Sequence, residues 1–298
     1  MIQFPVSGVE TYWWLPMAVA FAISLLTSMG GVSGAFLILP FQVSILKFTA
    51  PAVSPTNLVF NIIAIPGGVY RYWREKRMVW PLAWAITIGT LPGVFIGAFI
   101  RIKYLPDPVS FKLFAGLVLL YIGIRLFTNI IAKTESANAL QHDFRLVIAS
   151  PEFKITKIRY KYNGMEYSAS TISLISLSFI VGIVGGTYGV GGGAIIAPFL
   201  VAIFRLPIHT IAGATLLGTF ITSIAGVIFY TLIAFYYADT GLAISPDWQL
   251  GALFGIGGAL GMYAGARIQK FMPAAVIKII LLLCILFVAG KYIIGFFN

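Results

Sequence analysis

Ten apolar runs divide the chain, at about residues 12–29, 35–45, 58–72, 80–100, 109–132, 172–187, 194–204, 208–237, 250–268 and 274–297. Most are separated only by short basic or Gly/Pro turns. Several reach the roughly 20 residues that an α-helix needs to cross the roughly 30 Å core of a bilayer. Composition agrees, since 59% of the 298 residues are hydrophobic and 10% are charged, against roughly 25% charged residues in a soluble domain. The sequence is that of an all-α polytopic membrane protein with about eight to ten membrane segments. Before the first run stand Glu10 and no Lys or Arg, and no small-residue cleavage site follows it, so this run reads as part of the mature protein. Cys284, the only cysteine, lies in the last run, which leaves no disulfide framework and no cysteine-based metal or haem site. No cofactor and no metal are expected.

A net charge of +11 would suit nucleic acid, but the Lys and Arg residues stand at the ends of apolar runs and in one linker. That is the distribution of topology signals. The expected partners are lipid and a small molecule, not nucleic acid, and oligomeric state is not legible in the sequence.

The chain is written twice. A shift of 158 residues lays Gly31 on Gly189, Gly34 on Gly192, Pro40 on Pro198, Lys47 on Arg205 and Gly68 on Gly226. A shift of 168 then pairs Trp80 with Trp248 and Gly89, Gly93 and Gly97 with Gly257, Gly261 and Gly265, and one of 167 pairs Pro106 with Pro273 and Gly123 with Gly290. Residues 1–132 form a first transmembrane repeat, 133–170 a polar linker and 171–298 a second repeat. Each repeat opens on a Gly-broken apolar segment followed by three ordinary spans, a construction that many transporters share. If the broken segment is one kinked helix the repeats are parallel; if it is two short helices or a re-entrant hairpin they are inverted. With the loop of Arg71, Arg74, Lys76 and Arg77 placed in the cytoplasm, inversion puts thirteen Lys/Arg inside and four (Lys47, Arg101, Lys103, Lys291) outside, with Lys112, Arg125 and Lys278 in spans; the parallel arrangement gives eleven against six. The positive-inside rule favours inversion. The linker, then cytoplasmic, carries FKITKIRYKYNGMEY, whose partial alternation and Asn163-Gly164 turn predict a small β-hairpin.

The breaks read GGVSGAFLILP (30–40) and GGTYGVGGGAIIAP (185–198). Ser33 in the first stands where Gly191 stands in the second, so the shared demand is for backbone freedom. Non-helical backbone at membrane depth must be buried in protein or line a wet cavity. A helix that starts after such a break offers free N–H groups and the positive end of its dipole, an anion site without a charged side chain. The candidate substrate-binding residues are therefore Gly31, Ser33 and Gly34 in the first copy and Tyr188, Gly189, Gly191, Gly192 and Gly193 in the second. The second run lacks a following Lys-Ser/Thr and is no nucleotide-binding loop. For the four-residue glycine ladders of 89–97 and 257–265, close helix packing is one of the readings left open beside a role in the breaks.

Polar groups recur at matched positions of the next span: Asn57 with Thr215 and Asn61 with Thr219, each pair spaced i, i+4 on one helix face. They join the candidates as hydrogen-bond donors, with helix-to-helix bonding the blander use of the threonines. No Asp or Glu falls inside a predicted span, which suits an anion carrier. His209, at the mouth of a span, has the pKa range for proton coupling.

The stretch GGTYGVGGGAIIAPFLVAIFRLPIHTIAGATLLGTFITSIAGV, with DWQLGALFGIGGALGMYAGARI behind it, resembles the sulfite exporter TauE/SafE family of membrane transporters, and the likeness covers nearly the whole chain. Gly189, Gly191, Gly192, Gly193, Pro198, His209, Gly213, Thr215 and Trp248 match that family's pattern. In the first half Gly-Val-Ser-Gly-Ala replaces the Gly-rich run and Pro55-Thr56-Asn57 the small-residue stretch. The resemblance implies a secondary carrier of small, sulfur-containing anions such as sulfite, thiosulfate or organosulfonates, in a bacterial or archaeal cell membrane. Two other functions compete. An intramembrane serine protease built on Ser33 needs a histidine base, and His142 and His209 are the only histidines. A non-transporting receptor or assembly subunit would work through the linker.

Overall fold

The computed structural model describes residues 1–29, 33–135, 149–153, 156–162, 164–268 and 274–297. The apolar runs are helices: α1 (Trp14–Met29), α2 (Ala35–Ser44), α3 (Val53–Ala64), α4 (Pro66–Arg74), α5 (Trp80–Lys103) and α6 (Pro108–Glu135), then α7 (Thr171–Tyr188), α8 (Gly192–Ala202), α9 (Ile208–Tyr236), α10 (Trp248–Ile268) and α11 (Ala274–Phe297). By length and composition α5, α6, α7, α9 and α11 can each cross a membrane. The chain is a multi-pass, all-α membrane protein.

Local chemistry sets the boundaries. Asp107 accepts hydrogen bonds from Val109 N (2.8 Å) and Ser110 N (2.9 Å), capping α6 just before Pro108. A hydrogen bond from the Ser110 side chain, with these backbone bonds beside it, holds the Asp107 carboxyl below the usual aspartate range. Pro66 separates α3 from α4, because a proline supplies no N–H to the helix ladder. The second repeat has Ile224 at the matching position, and α9 runs unbroken from Ile208 to Tyr236.

Packing exchanges partners between the halves. α5 lies along α7 and α10 along α1. Their glycines make this possible: a Cβ on Gly93 would overlap the Phe179 carbonyl, and one on Gly261 the Phe21 carbonyl. Contacts advance together, 89 to 97 against 175 to 187 and 257 to 265 against 17 to 28, so each pair is parallel. The pairs α5–α9 and α3–α10 are parallel too, with Gly218 by Ile86 and Gly226 by Val94, and Gly251 by Val59 and Gly255 by Ile63. The repeat-related helices α6 and α11 instead run antiparallel, Gly116 meeting Tyr292 and Gly123 meeting Leu286, as do α3–α4 and α9, where Leu58 meets Gly226 and Gly68 meets Leu216.

These directions fix the shape of the broken segments. α8 runs against α9, with Gly191 beside Ser223 and Gly193 beside Thr215. Since α9, α5 and α7 share one direction, α8 runs back along α7, and Gly185 of α7 sits against Gly191 and Gly192. α2 likewise runs against α3, Ser33 bonding Asn61 and Gln42 bonding Asn57, while α3, α10 and α1 agree in direction. In each broken segment the second helix therefore runs back along the first, as a helical hairpin.

Ahead of α1, β1 (Ile2–Gln3) pairs antiparallel with β2 (Glu10–Thr11), and between the repeats β3 (Ala149–Phe153), β4 (Lys157–Tyr162) and β5 (Met165–Ser170) form an antiparallel sheet in that order. Gly164, at φ +75°, turns β4 into β5. β4 alternates exposed Lys157, Arg159 and Lys161 with buried Ile158, Tyr160 and Tyr162. The inward face docks on the helix ends, where the Tyr160 hydroxyl and Thr210 Oγ1 lie 2.8 Å apart. Burial pushes the Tyr160 phenol up to about 12. The three strands thus form a packed lobe over the start of α9.

Candidate functional site: two hairpin tips

The end of α7 is stopped by glycine. Gly189 adopts φ +82° and its N–H bonds Gly185 O (2.9 Å), while Val190 N bonds the same oxygen (3.0 Å), the geometry of a Schellman cap. Four further carbonyls here, which would be costly to leave bare at this depth, are met from other helices. The Tyr230 hydroxyl donates to Gly186 O (3.4 Å) and Ser54 Oγ to Thr187 O (3.4 Å). Asn57 Nδ2 donates to Gly189 O (2.8 Å), and Asn61 Nδ2 to Val190 O (2.8 Å).

The same asparagines reach the first tip. Asn57 Nδ2 also donates to Ala35 O (3.0 Å), its oxygen accepts from Gln42 Nε2 (3.4 Å), and Asn61 Oδ1 accepts from Ser33 Oγ (3.3 Å). Tyr188 closes the circuit by donating its hydroxyl to Phe36 O (3.0 Å). Ser33, Gly34, Asn57, Asn61, Tyr188, Gly189 and Gly191 thus gather where the two tips meet. Asn57, Asn61, Tyr188, Thr215 and Thr219 are all buried.

Other groups at the tips have no partner. α8 begins at Gly191, φ +81°, with no side chain capping its first turn. Ser223 Oγ is buried without a hydrogen bond among the described residues, and a Cβ on Gly191 would stand 3.2 Å from it. Ser24 Oγ is equally unpartnered and lies 3.0 Å from the point a Gly34 Cβ would occupy. At each tip a glycine leaves an orphan hydroxyl uncovered beside the start of a helix. Gln42 Oε1 is a third orphan in the same region.

Thr215 and Thr219 donate to carbonyls of their own helix, Ala212 O (3.0 Å) and Thr215 O (2.8 Å), and flank Gly193, whose Cβ would overlap the Thr215 carbonyl. Gly192 abuts Thr90 of α5. Gly31 and His142 lie outside the described residues, and of His209 only the backbone is described, at the start of α9. Ser33 Oγ bonds Asn61 and accepts from Ala35 N at 3.4 Å. Arg125 donates to the Tyr121 hydroxyl (3.0 Å), beside Phe199 of α8.

Ser24, Gln42 and Ser223 are additions to the residues read from sequence. Gln42 carried the same signal as the two asparagines, a side-chain amide inside an apolar run. Ser24 and Ser223 carried none, because a membrane helix hides a serine by bonding it to its own backbone, and only the packed structure shows that these two are not so bonded.

Helices sufficient for several crossings, with two broken segments meeting among them, define a polytopic membrane protein. Over residues 16–292 the chain matches the family described as Sulfite exporter TauE/SafE, and it belongs to that family. It is 24% identical over 265 residues to the probable membrane transporter protein YunE of Bacillus subtilis, covering 86% of this chain and 89% of that one. To the probable membrane transporter protein MJ0441 of Methanocaldococcus jannaschii it is 27% identical over 224 residues, 72% and 71% of the two chains. YdhB of Bacillus subtilis, likewise a probable membrane transporter protein, is 31% identical over 101 residues, 34% of this chain and 37% of that one. No solved structure matches the chain.

Proposed function

We propose that the protein is a secondary carrier of small anions, sulfite, thiosulfate and organosulfonates among them, working by alternating access between two inverted halves. The observation that carries this reading is the pair of tips, where an uncapped α8 start and the orphan hydroxyls of Ser24 and Ser223 stand together. Neutral donors and a helix N-terminus favour an anion and leave a cation unsatisfied. Ser33 lends a hydroxyl, and Asn57 and Asn61 hold the broken backbone open around the ligand. The antiparallel pairing of α3–α4 with α9 and of α6 with α11 supports inversion, which aims one tip from each face of the bilayer at the same point.

The direct test is uptake by purified protein in liposomes under imposed proton, sodium and anion gradients, paired with a thermal-shift screen of oxyanions. A bound anion at a hundred times its Kd raises stability by about 2.7 kcal/mol. Movement of one of the three anion classes, with a matching stabilisation, is expected. Absence of both for all three overturns the reading. Labelling of Ser33 by a fluorophosphonate would instead revive the hydrolase alternative.

A further inference from the structure

Outside the tips the most demanding group is Arg101, in the last turn of α5. Its residue is wholly buried, its guanidinium lies 3.8 Å from the centroid of the Phe111 ring, and Nη2 donates to Thr49 O (3.1 Å) while Nη1 donates to Leu105 O. Nε is buried with no partner. The ion pairs among the described residues are Arg71–Glu75 and Arg77–Glu75, so no carboxylate is bonded to this charge, and the exposed Asp107 acts on it only across a distance. Asp107, six residues on, spends its oxygen on the cap of α6. A buried cation is costly unless an anion meets it, and a guanidinium fork matches an oxyanion with two parallel N–H bonds.

Position adds meaning to the charge. Arg101 lies one turn past Gly97, whose carbonyl accepts the Thr187 hydroxyl at the end of α7 (3.0 Å). Thr49 belongs to the loop 45–52 that continues α2, so a movement of the first hairpin acts directly on one of the two carbonyls that occupy the guanidinium. The repeat does not copy the residue: the shift of 168 that aligns α5 with α10 places Gln269 there. The cation therefore breaks the symmetry between the two ends of the transport path.

We propose that Arg101 is a second anion station, at the end of α5 remote from the β-lobe, which releases Thr49 O and takes the substrate oxyanion when loop 45–52 withdraws. The proposal rests on the carrier reading above. Its test is uptake of labelled sulfite and thiosulfate into right-side-out and inside-out membrane vesicles carrying wild type, Arg101→Gln or Arg101→Lys. Losing a charge-assisted bond raises KM by about tenfold or more at the face bearing the end of α5, with KM at the other face within about twofold. Lys, which keeps the charge and loses the fork, raises KM at that same face by less, and it serves alone if Gln fails to insert. Unchanged KM at both faces, or an equal loss at both, makes Arg101 a structural pin and overturns the station while the carrier reading stands. Wild-type vesicles that move neither of these anions nor a labelled organosulfonate overturn both.

Discussion

Asn57 shows how much a single side chain does at a broken helix. Its amide bridges Ala35 O and Gly189 O, one carbonyl from each tip. Asn57→Ala leaves both oxygens without that donor, at about 1–3 kcal/mol for each buried group left unsatisfied, so a fall in detergent melting temperature together with loss of uptake is expected. Ser33→Ala removes a 3.3 Å bond to Asn61 and a long 3.4 Å one from Ala35 N and should fold normally, with sulfite affinity weakened by about fivefold, on the scale of about 1 kcal/mol for one hydrogen bond. Complete loss of turnover with ligand binding intact would contradict the binding role. Gly192→Val puts its Cβ into Thr90 of α5 and should abolish transport. The polar spacing of Asn57 and Asn61 was legible in the sequence. Their partners were not, because Gly189 and Val190 lie 132 and 129 residues away and hydrophobic periodicity carries no distant register.

At the scale of elements, the runs, the two breaks and the Asn163-Gly164 turn could all be read directly, since apolar length, glycine density and turn chemistry are local. Whether a break straightens into one kinked helix or folds back as a hairpin is decided by which helix lies alongside, and that information is distributed over α5, α9 and α10. The docking of the β-lobe was equally hidden. β4 alternates visibly, but its buried tyrosines find their surface only at the start of α9. Tyr160→Phe keeps the ring and loses the bond to Thr210, at about 0.5–1.5 kcal/mol; faster tryptic cleavage at Lys157, Arg159 and Lys161 is the expected readout. The phenol's raised pKa gives a pH dependence of definite sign. Neutral Tyr160 is the form the fold holds, so its contribution is complete below the ordinary tyrosine pKa of about 10 and is lost as pH rises toward about 12. Cleavage at the lobe should quicken over that window. Asp107 behaves oppositely: its lowered pKa keeps the α6 cap intact above the ordinary aspartate pKa of about 4 and surrenders it as pH falls below that.

For the whole molecule, the duplication was plain in the sequence and the charge count leaned toward inversion. A topology experiment decides it. In a Cys284→Ser background, a cysteine at Thr240 should react with an impermeant maleimide applied to intact cells, and one at Gly164 only after permeabilisation. Reaction of both from the same side would refute the inverted arrangement. The exchange of partners between halves also has a temporal side. The first hairpin leans its glycine-poor limb, α1, on the ladder of α10, and Trp248 is made 219 residues after Met29. At roughly 5–20 residues per second of synthesis, α1 waits on the order of 10–45 s in the membrane before its cradle exists, while α7 meets α5 as soon as it emerges. Nascent chains stalled before α10 should therefore present an unsheltered first hairpin to the insertion machinery, and quality control of this protein acts on its oldest segment last.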